Sequence, residues 1–204
     1  NSCTTGSGGG VLVTNSGATL NANDSPFSNN SSPVSGAAIA SVNSSTVNVA
    51  RCTFTGNSGS GVISSSLTTT ITNSTISGNT GPGIDVLGGT TTVTNSTFSA
   101  NTTANVFASS SGTVLNLVNT LLAGNSSCIQ SSQATINATN SLIQGGLGCV
   151  NGTNTNNLTS APLLGTLGNY GGTMQTIPLL PGSPAINAGT ASGGGCTEGN
   201  RAEP

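Results

Sequence analysis

Charged residues are almost missing from this chain of 204 residues. Lys and Arg together number two, Asp and Glu four, and His is absent, so the formal net charge is −2 and charged residues make up 3% of the chain. A typical soluble domain carries about 25% charged residues. The chain therefore lacks the basic footprint that binds nucleic acid, and without His it cannot activate a Ser or Cys nucleophile through a His base.

Aromatic residues and long apolar runs are also scarce. The chain has no Trp, one Tyr and four Phe, which is a poor supply of aromatic platforms for binding sugars. No stretch approaches the roughly 18 apolar residues of a membrane span, so we predict none. We interpret the start at Asn1, without Met, as a sign that a leader was removed.

What the chain does contain is an internal repeat of about 22 residues. Four segments share the pattern of a large apolar residue, two small residues and Asn: Phe54–Asn57, Ile76–Asn79, Phe98–Asn101 and Leu122–Asn125. The apolar anchors of the repeat, with one further member at each end, are Phe27, Phe54, Ile76, Phe98, Leu122 and Ile143. We predict that these six side chains lie over one another in a core column.

Two further apolar ladders follow the same period. One lies five residues before each anchor and comprises Ala22, Val49, Ile71, Val93, Leu117 and Ala138. The other follows the turn Asn and comprises Val62, Ile84 and Val106 and, one residue earlier in register, Ile129 and Val150. Runs such as Thr68–Thr72, Thr-Thr-Thr-Ile-Thr, are β-branched throughout and favour strands. The sequence predicts an all-β, right-handed parallel β-helix (a solenoid) with three short strands per coil.

Two other repeat folds fit less well. The register Leu-x-x-Leu-x-Leu-x-x-Asn of leucine-rich repeats is absent, and a calcium-binding β-roll needs more Asp than the two present, Asp24 and Asp85. In a stack of coils about 4.8 Å apart, each strand is hydrogen-bonded to the coils above and below, so each coil completes its neighbour.

Asn recurs at two positions of the repeat. We predict structural ladders in which these amides pair from coil to coil, because buried polar groups need hydrogen-bond partners. The members are Asn57, Asn79, Asn101 and Asn125 at one position, and Asn73, Asn95, Asn119 and Asn140 at the other.

Asp24 and Arg51 occupy the second of these positions in the first two coils. We predict a stacked, structural ion pair between them. The alternative makes them a catalytic acid and a transition-state clamp of a polysaccharide-processing enzyme, but such a site needs several carboxylates, and two of the four, Glu198 and Glu203, lie in the last seven residues. We predict no catalytic residue and no enzyme.

The five cysteines are Cys3, Cys52, Cys128, Cys149 and Cys196. Cys128 and Cys149 hold equivalent positions on adjacent coils, within disulfide range, so we predict that they form a disulfide bond, which implies an oxidising compartment; two buried thiols are the alternative. Cys3, Cys52 and Cys196 have no assigned pairing. Neither CxxC nor His accompanies the cysteines, so we predict no metal and no cofactor.

The pattern changes after residue 159. Residues 160–189 contain Pro-Leu-Leu-Gly, Asn-Tyr-Gly-Gly and Leu-Leu-Pro-Gly-Ser-Pro-Ala-Ile-Asn-Ala-Gly, and this segment resembles the tail of bacterial choice-of-anchor Q domain proteins, a secreted right-handed parallel β-helix family. The resemblance implies a bacterial protein that is secreted or at the cell surface. We divide the chain into coils over 1–159 and a Pro/Gly-rich capping tail over 160–204 on the same domain.

The ends of a β-helix are sheet edges with unpaired backbone groups, and this chain has almost no charge to protect them. We therefore predict an extracellular structural protein whose copies join head to tail into a fibre. One alternative is a carbohydrate-binding or adhesive cell-surface module, with surface polysaccharide as its partner. Another is an ice-binding surface built on Thr68, Thr70, Thr90 and Thr92, with Thr46 and Thr113 nearly alone in neighbouring coils. A polysaccharide lyase or hydrolase is the least favoured reading.

Overall fold

A computed structural model describes residues 1–124, 128–130 and 133–190. Strands are numbered here in chain order, and every strand pair is parallel. The chain coils repeatedly through three sheets and so confirms the predicted β-helix, with about 22 residues between equivalent positions.

Each sheet collects one strand from each coil. Sheet 1 contains β1 (Val11–Val13), β5 (Ile39–Ser41), β9 (Ile63–Ser65), β12 (Ile84–Val86), β15 (Val106–Ala108) and β18 (Cys128–Gln130). Sheet 2 contains β2 (Thr19–Asn23), β6 (Thr46–Ala50), β10 (Thr68–Thr72), β13 (Thr90–Thr94), β16 (Val114–Val118), β19 (Thr135–Thr139) and β21 (Asn154–Thr155). Sheet 3 contains β3 (Pro26–Ser28), β7 (Thr53–Thr55), β11 (Thr75–Ser77), β14 (Thr97–Ser99), β17 (Leu121–Ala123) and β20 (Leu142–Ile143). Two short strands, β4 (Ser31–Ser32) and β8 (Ser58–Gly59), form a fourth sheet near the N-terminal end.

The predicted anchor column is present in sheet 3. Phe27 pairs with Phe54, Phe54 with Ile76, and Ile76 with Phe98. Phe98 pairs in turn with Leu122, and Leu122 with Ile143. All but Phe27 are fully buried, so the column forms the central part of one continuous apolar core.

The other two ladders line the same core, with one difference from the sequence prediction. The ladder from Ala22 to Ala138 pairs in sheet 2 as predicted. In sheet 1, however, Ile84 lies beside Ile63 rather than Val62, and Val106 lies beside Cys128 rather than Ile129. Ile129 is 38% exposed. Turns of unequal length precede these strands, so the register cannot be counted from the turn Asn alone.

The segment that follows the coils lies along the outside of sheet 3, and we call residues 160–190 the strap. Two antiparallel bridges, Leu164 to Leu179 and Gly168 to Thr176, fold part of it into a hairpin. Leu164 and Ala185 pack against outward side chains of β17 and β20, and the Thr53 hydroxyl donates a hydrogen bond to the Gln175 carbonyl at 2.7 Å. These contacts run along the flank of the column from β20 to β7. That this segment also caps the C-terminal end stays a prediction.

Candidate functional site

The outward surface of sheet 2 is a regular array of mainly Thr and Asn side chains, which we call the Thr/Asn face. It consists of three side chains from each of six strands, namely Thr19, Asn21 and Asn23; Thr46, Asn48 and Ala50; Thr68, Thr70 and Thr72; Thr90, Thr92 and Thr94; Val114, Asn116 and Val118; and Thr135, Asn137 and Thr139. Strand residues alternate between the two sides of a sheet, so the β-branched positions between the inward residues all point outward.

The three outward residues of each strand form three ranks that run across the face. In the middle rank, Asn side chains on neighbouring strands are hydrogen-bonded to each other. The Asn48 amide donates to the Asn21 Oδ1 at 2.9 Å, and the Asn137 amide donates to the Asn116 Oδ1 at 2.9 Å. The first outer rank contains Thr19, Thr46, Thr68, Thr90, Val114 and Thr135. In this outer rank, the hydroxyls of Thr68 and Thr90 are exposed and make no hydrogen bond within the described part of the protein. The face therefore offers exposed Thr hydroxyls beside a middle rank in which the four Asn side chains are paired.

Sequence reasoning found only part of this face. Thr113, expected to stand on it, is fully buried, and Val114 takes its place. Thr19 and Thr135 were not predicted to lie on the face, although they continue the rank of Thr46. Their positions in the repeat indicate this place. Each lies three residues before a member of the inward Ala22 to Ala138 ladder, which is an outward position of the same strand.

One predicted Asn ladder is a buried chain of amides. Each Nδ2 donates to the Oδ1 of the next coil from Asn30 to Asn57 (2.9 Å), on to Asn79 (3.0 Å) and then to Asn101 (2.9 Å). Asn101 ends the ladder by donating to Asn105. Asn125 lies outside the described residues. Asn57 and Asn79 are fully buried, so this ladder satisfies polar groups inside the column and offers nothing to a ligand.

The second Asn position is a corner with left-handed backbone. Its φ values run from 46° at Asp24 and 53° at Arg51 to 49° at Asn73, and the later members Asn95, Asn119 and Asn140 have φ of 48° to 50°. Asn tolerates this conformation better than most residues do. Asn119 also bonds the strap through Thr190, and Asn140 accepts a bond from Asn156.

Asp24 and Arg51 form the expected contact on this corner. Arg51 Nε and Nη2 each donate to one carboxylate oxygen of Asp24 at 2.7 Å. This hydrogen bond holds the pKa of Asp24 below its usual range. The side chains are 43% and 38% exposed, and such surface pairs contribute little to stability. Both oxygens of the Asp24 carboxylate therefore already accept a hydrogen bond from Arg51.

Asp85 is the one carboxylate buried among the described residues. It lies on β12 with 7% exposure and accepts a hydrogen bond from the Ser109 hydroxyl at 2.8 Å. Burial raises the pKa of Asp85, against the opposing effect of the Ser109 bond. Because it lies in sheet 1, it does not meet Asp24, which follows sheet 2. The two carboxylates do not form the pair that sugar hydrolysis requires.

The structure contains the disulfide between Cys128 and Cys149, with their Cα atoms 5.9 Å apart. Cys3 and Cys52 are free, and Cys196 lies outside the described residues. The Cys52 thiol is buried against the Ala22 carbonyl, and burial raises its pKa. A thiol of this kind is a poor nucleophile at neutral pH.

The N-terminal end of the column is open. β1, β2 and β3 each have a neighbouring strand on one side only. Phe27 stacks on Phe54 with ring centroids 4.7 Å apart and is only half-buried. Ala18 and Leu20 also pack partly against the core. The end therefore presents backbone hydrogen-bonding groups around an apolar centre.

The described ranges contain no group of three or more His, Cys, Asp or Glu residues that could hold a metal ion. No helix in that part of the chain is long and apolar enough to cross a membrane. A cavity of about 60 Å³ lies between the strap and sheet 3, near Thr75 and Ile177, and is large enough for only a few water molecules.

A model of the right-handed β-helix region matches residues 35–161, more than half of the chain. No curated protein and no solved structure matches it. The matched family contains enzymes, among them pectate lyases, as well as non-enzymes, so the match bears on the fold and not on an activity. The resemblance to choice-of-anchor Q proteins lies almost entirely beyond the matched residues and stays a prediction. By this match the chain belongs to the right-handed β-helix family.

Proposed function

We propose that this protein is an extracellular structural β-helix whose copies stack end to end into a fibre. The observation that carries the proposal is the open N-terminal end, where three edge strands surround the half-exposed Phe27 and Leu20. Unpaired strand edges are templates for pairing with another chain unless charge or a cover protects them.

The opposite end can complete such a contact. β21 is the last strand of sheet 2, and its two residues, Asn154 and Thr155, are exposed. A second copy placed with β2 beside β21 would continue the parallel hydrogen bonding of the coils. The two ends are different surfaces, so the contact is heterologous and repeats without closing, which generates a filament.

Two observations support an extracellular setting. Disulfides persist in oxidising compartments and are rare in the cytosol, and Cys128 and Cys149 are joined. A bacterial cell surface also agrees with the resemblance of the strap. Surface polysaccharide is a second candidate partner, although Tyr170, on the strap, is the only Tyr or Trp of the chain.

A non-catalytic role fits the state of the carboxylates. Asp24 is held by Arg51, and Asp85 is buried away from it with its pKa raised. Among the described residues, Asp24 and Asp85 are not placed to act together on one sugar.

The experiment is to examine the purified protein by light scattering over a wide concentration range and by electron microscopy. We expect filaments whose width matches one column. Leu20→Lys places a charge at the open end and should leave folded monomers, whereas Ile186→Lys, at a 46% exposed position on the strap, should still give filaments. A wild-type protein that stays monomeric, or that stops at a closed dimer, would contradict the proposal.

A further inference from the structure

The Thr/Asn face is a broad sheet surface that the described part of the molecule leaves open along all six of its strands. The outward side of sheet 3 is covered by the strap, which packs on Leu121 and Leu142. In sheet 1 the outward residues Ala40, Ser64 and Asp85 are buried, whereas Leu12 and Ile129 at its two ends are exposed. On sheet 2 the outer rank is exposed or half-exposed in all six strands.

The face is regular in two directions. The strands pair without a slip in register from β2 to β19. Strand spacing of about 4.8 Å and a repeat of about 6.6 Å along each strand set a grid, and six strands make it about 24 Å wide. A surface of this kind fits a ligand that is itself flat and periodic.

The side chains of the face restrict the class of ligand further. None of its eighteen side chains is charged or aromatic. The two outer ranks mix Thr hydroxyls with the methyl groups of Thr and of Val114 and Val118. Soluble sugars and proteins are usually bound through aromatic or charged contacts, which this face lacks. A neutral lattice of hydrogen-bond donors and acceptors is complementary to it.

We infer that the Thr/Asn face binds the surface of ice. Thr side chains have restricted χ1 rotamers, and every strand of the face except the edge strand β2 is held by a neighbouring strand on each side. The hydroxyls are thus fixed before binding, so water molecules can be held in a lattice with little loss of conformational freedom on the protein side. This inference does not depend on end-to-end stacking, because the face lies along the column and not at its ends.

The test is the gap between the melting and freezing temperatures of a small ice crystal in a solution of the full chain. We expect the wild-type protein to open this gap and to shape the crystal. Thr68→Tyr and Thr90→Tyr, which place a bulky ring on the outer rank of the two middle strands of the face, should each remove most of the gap. Thr103→Tyr, at an exposed turn position away from the face, is the matched control and should leave the gap unchanged.

Circular dichroism of each variant shows whether the coils are intact, so a loss of the gap in a folded face variant is informative. A wild-type protein that opens no gap overturns the inference. It is also overturned if the control and the face variants lose the gap equally. Retention on insoluble cellulose or chitin, lost in the same two variants and without any gap, would instead assign the face to a crystalline polysaccharide.

Discussion

Asn serves two purposes in the coils of this protein. At the corner of Asn73 and Asn119 it adopts positive φ, which Asn tolerates because its short polar side chain can bond locally. In the buried ladder, as at Asn79, it uses both hydrogens and its oxygen to join three coils. The same residue type is therefore selected for its backbone at one position and for its amide at the other.

Replacing one amide of the ladder tests the second purpose. Asn79 donates to Asn101 Oδ1 and the Phe54 carbonyl, and it accepts from Asn57. We expect Asn79→Ala to lower the free energy of unfolding by about 1–3 kcal/mol for each buried group left without a partner. Chemical denaturation measures this loss. The exposed Asn169→Ala should change stability by much less, and equal losses in the two variants would argue against the ladder.

Asp85 should make stability depend on pH. Its pKa is raised in the folded protein, so the folded state holds its proton more tightly than the unfolded state does. The stabilisation from this proton is complete below pH 3.8, the ordinary pKa of an aspartate, and is lost as the pH rises through the folded value. We expect Asp85→Asn, which can still accept from Ser109, to be more stable than the wild type at pH 7.

Denaturation of both proteins at pH 3 and pH 7 checks the sign. The advantage of Asp85→Asn should shrink or vanish at pH 3, where the wild-type carboxyl is protonated. An advantage that is equal at both pH values would show that desolvation of the charge is not its cause.

At the scale of the elements, the short strands are stabilised by their neighbours, by the strap and by the disulfide. Strands of three residues in sheets 1 and 3 cannot bury an apolar face alone, so each relies on the coils beside it. The strap covers the Leu121 and Leu142 side chains of sheet 3. The disulfide joins β18 to the turn at Cys149, 21 residues later, where β18 is the last strand of sheet 1.

Removing this disulfide should weaken the C-terminal coils. Closing a loop of this size stabilises a protein by about 2–4 kcal/mol, mainly by restricting the unfolded chain. We expect the double variant Cys128→Ser, Cys149→Ser to melt at a lower temperature, and a reducing agent to lower the wild-type melting temperature to the same level. Cys3→Ser is the control, and a comparable fall in that variant would contradict the assignment.

At the scale of the whole molecule, stability is a sum over coils and their interfaces, as in other solenoids. Coils in the middle have two neighbours. Those at the N-terminal end have one, and Leu20 and Phe27 there are only partly buried. The column is therefore best protected around β10 to β14 and least protected at β1 to β3.

Hydrogen exchange measured by mass spectrometry should show this gradient. We expect peptides covering residues 68–99 to exchange most slowly and those covering residues 11–28 to exchange fastest, because an edge coil can open without disturbing the rest. Measurement at low concentration keeps copies apart. Uniform protection along the chain would mean that the column unfolds as a single unit.

The period of about 22 residues determined much of this protein without reference to any structure. Phe54, Ile76 and Phe98 recur at that spacing, and alternation along the strands fixes which side chains point inward. The stacking of Asp24 on Arg51 and of Cys128 near Cys149 followed from the same count, because residues one coil apart are neighbours in space.

Only the tertiary structure decided what depends on turn length and on contacts far apart in sequence. The turns before sheet 1 vary in length, so counting put Ile129 in the core where Cys128 lies. The strap meets Thr53 across more than a hundred residues through a single hydrogen bond, and no periodic signal encodes such a contact. The sequence period specifies the column itself because every coil repeats the same local rule, whereas its flanks and ends are set by packing that occurs only once.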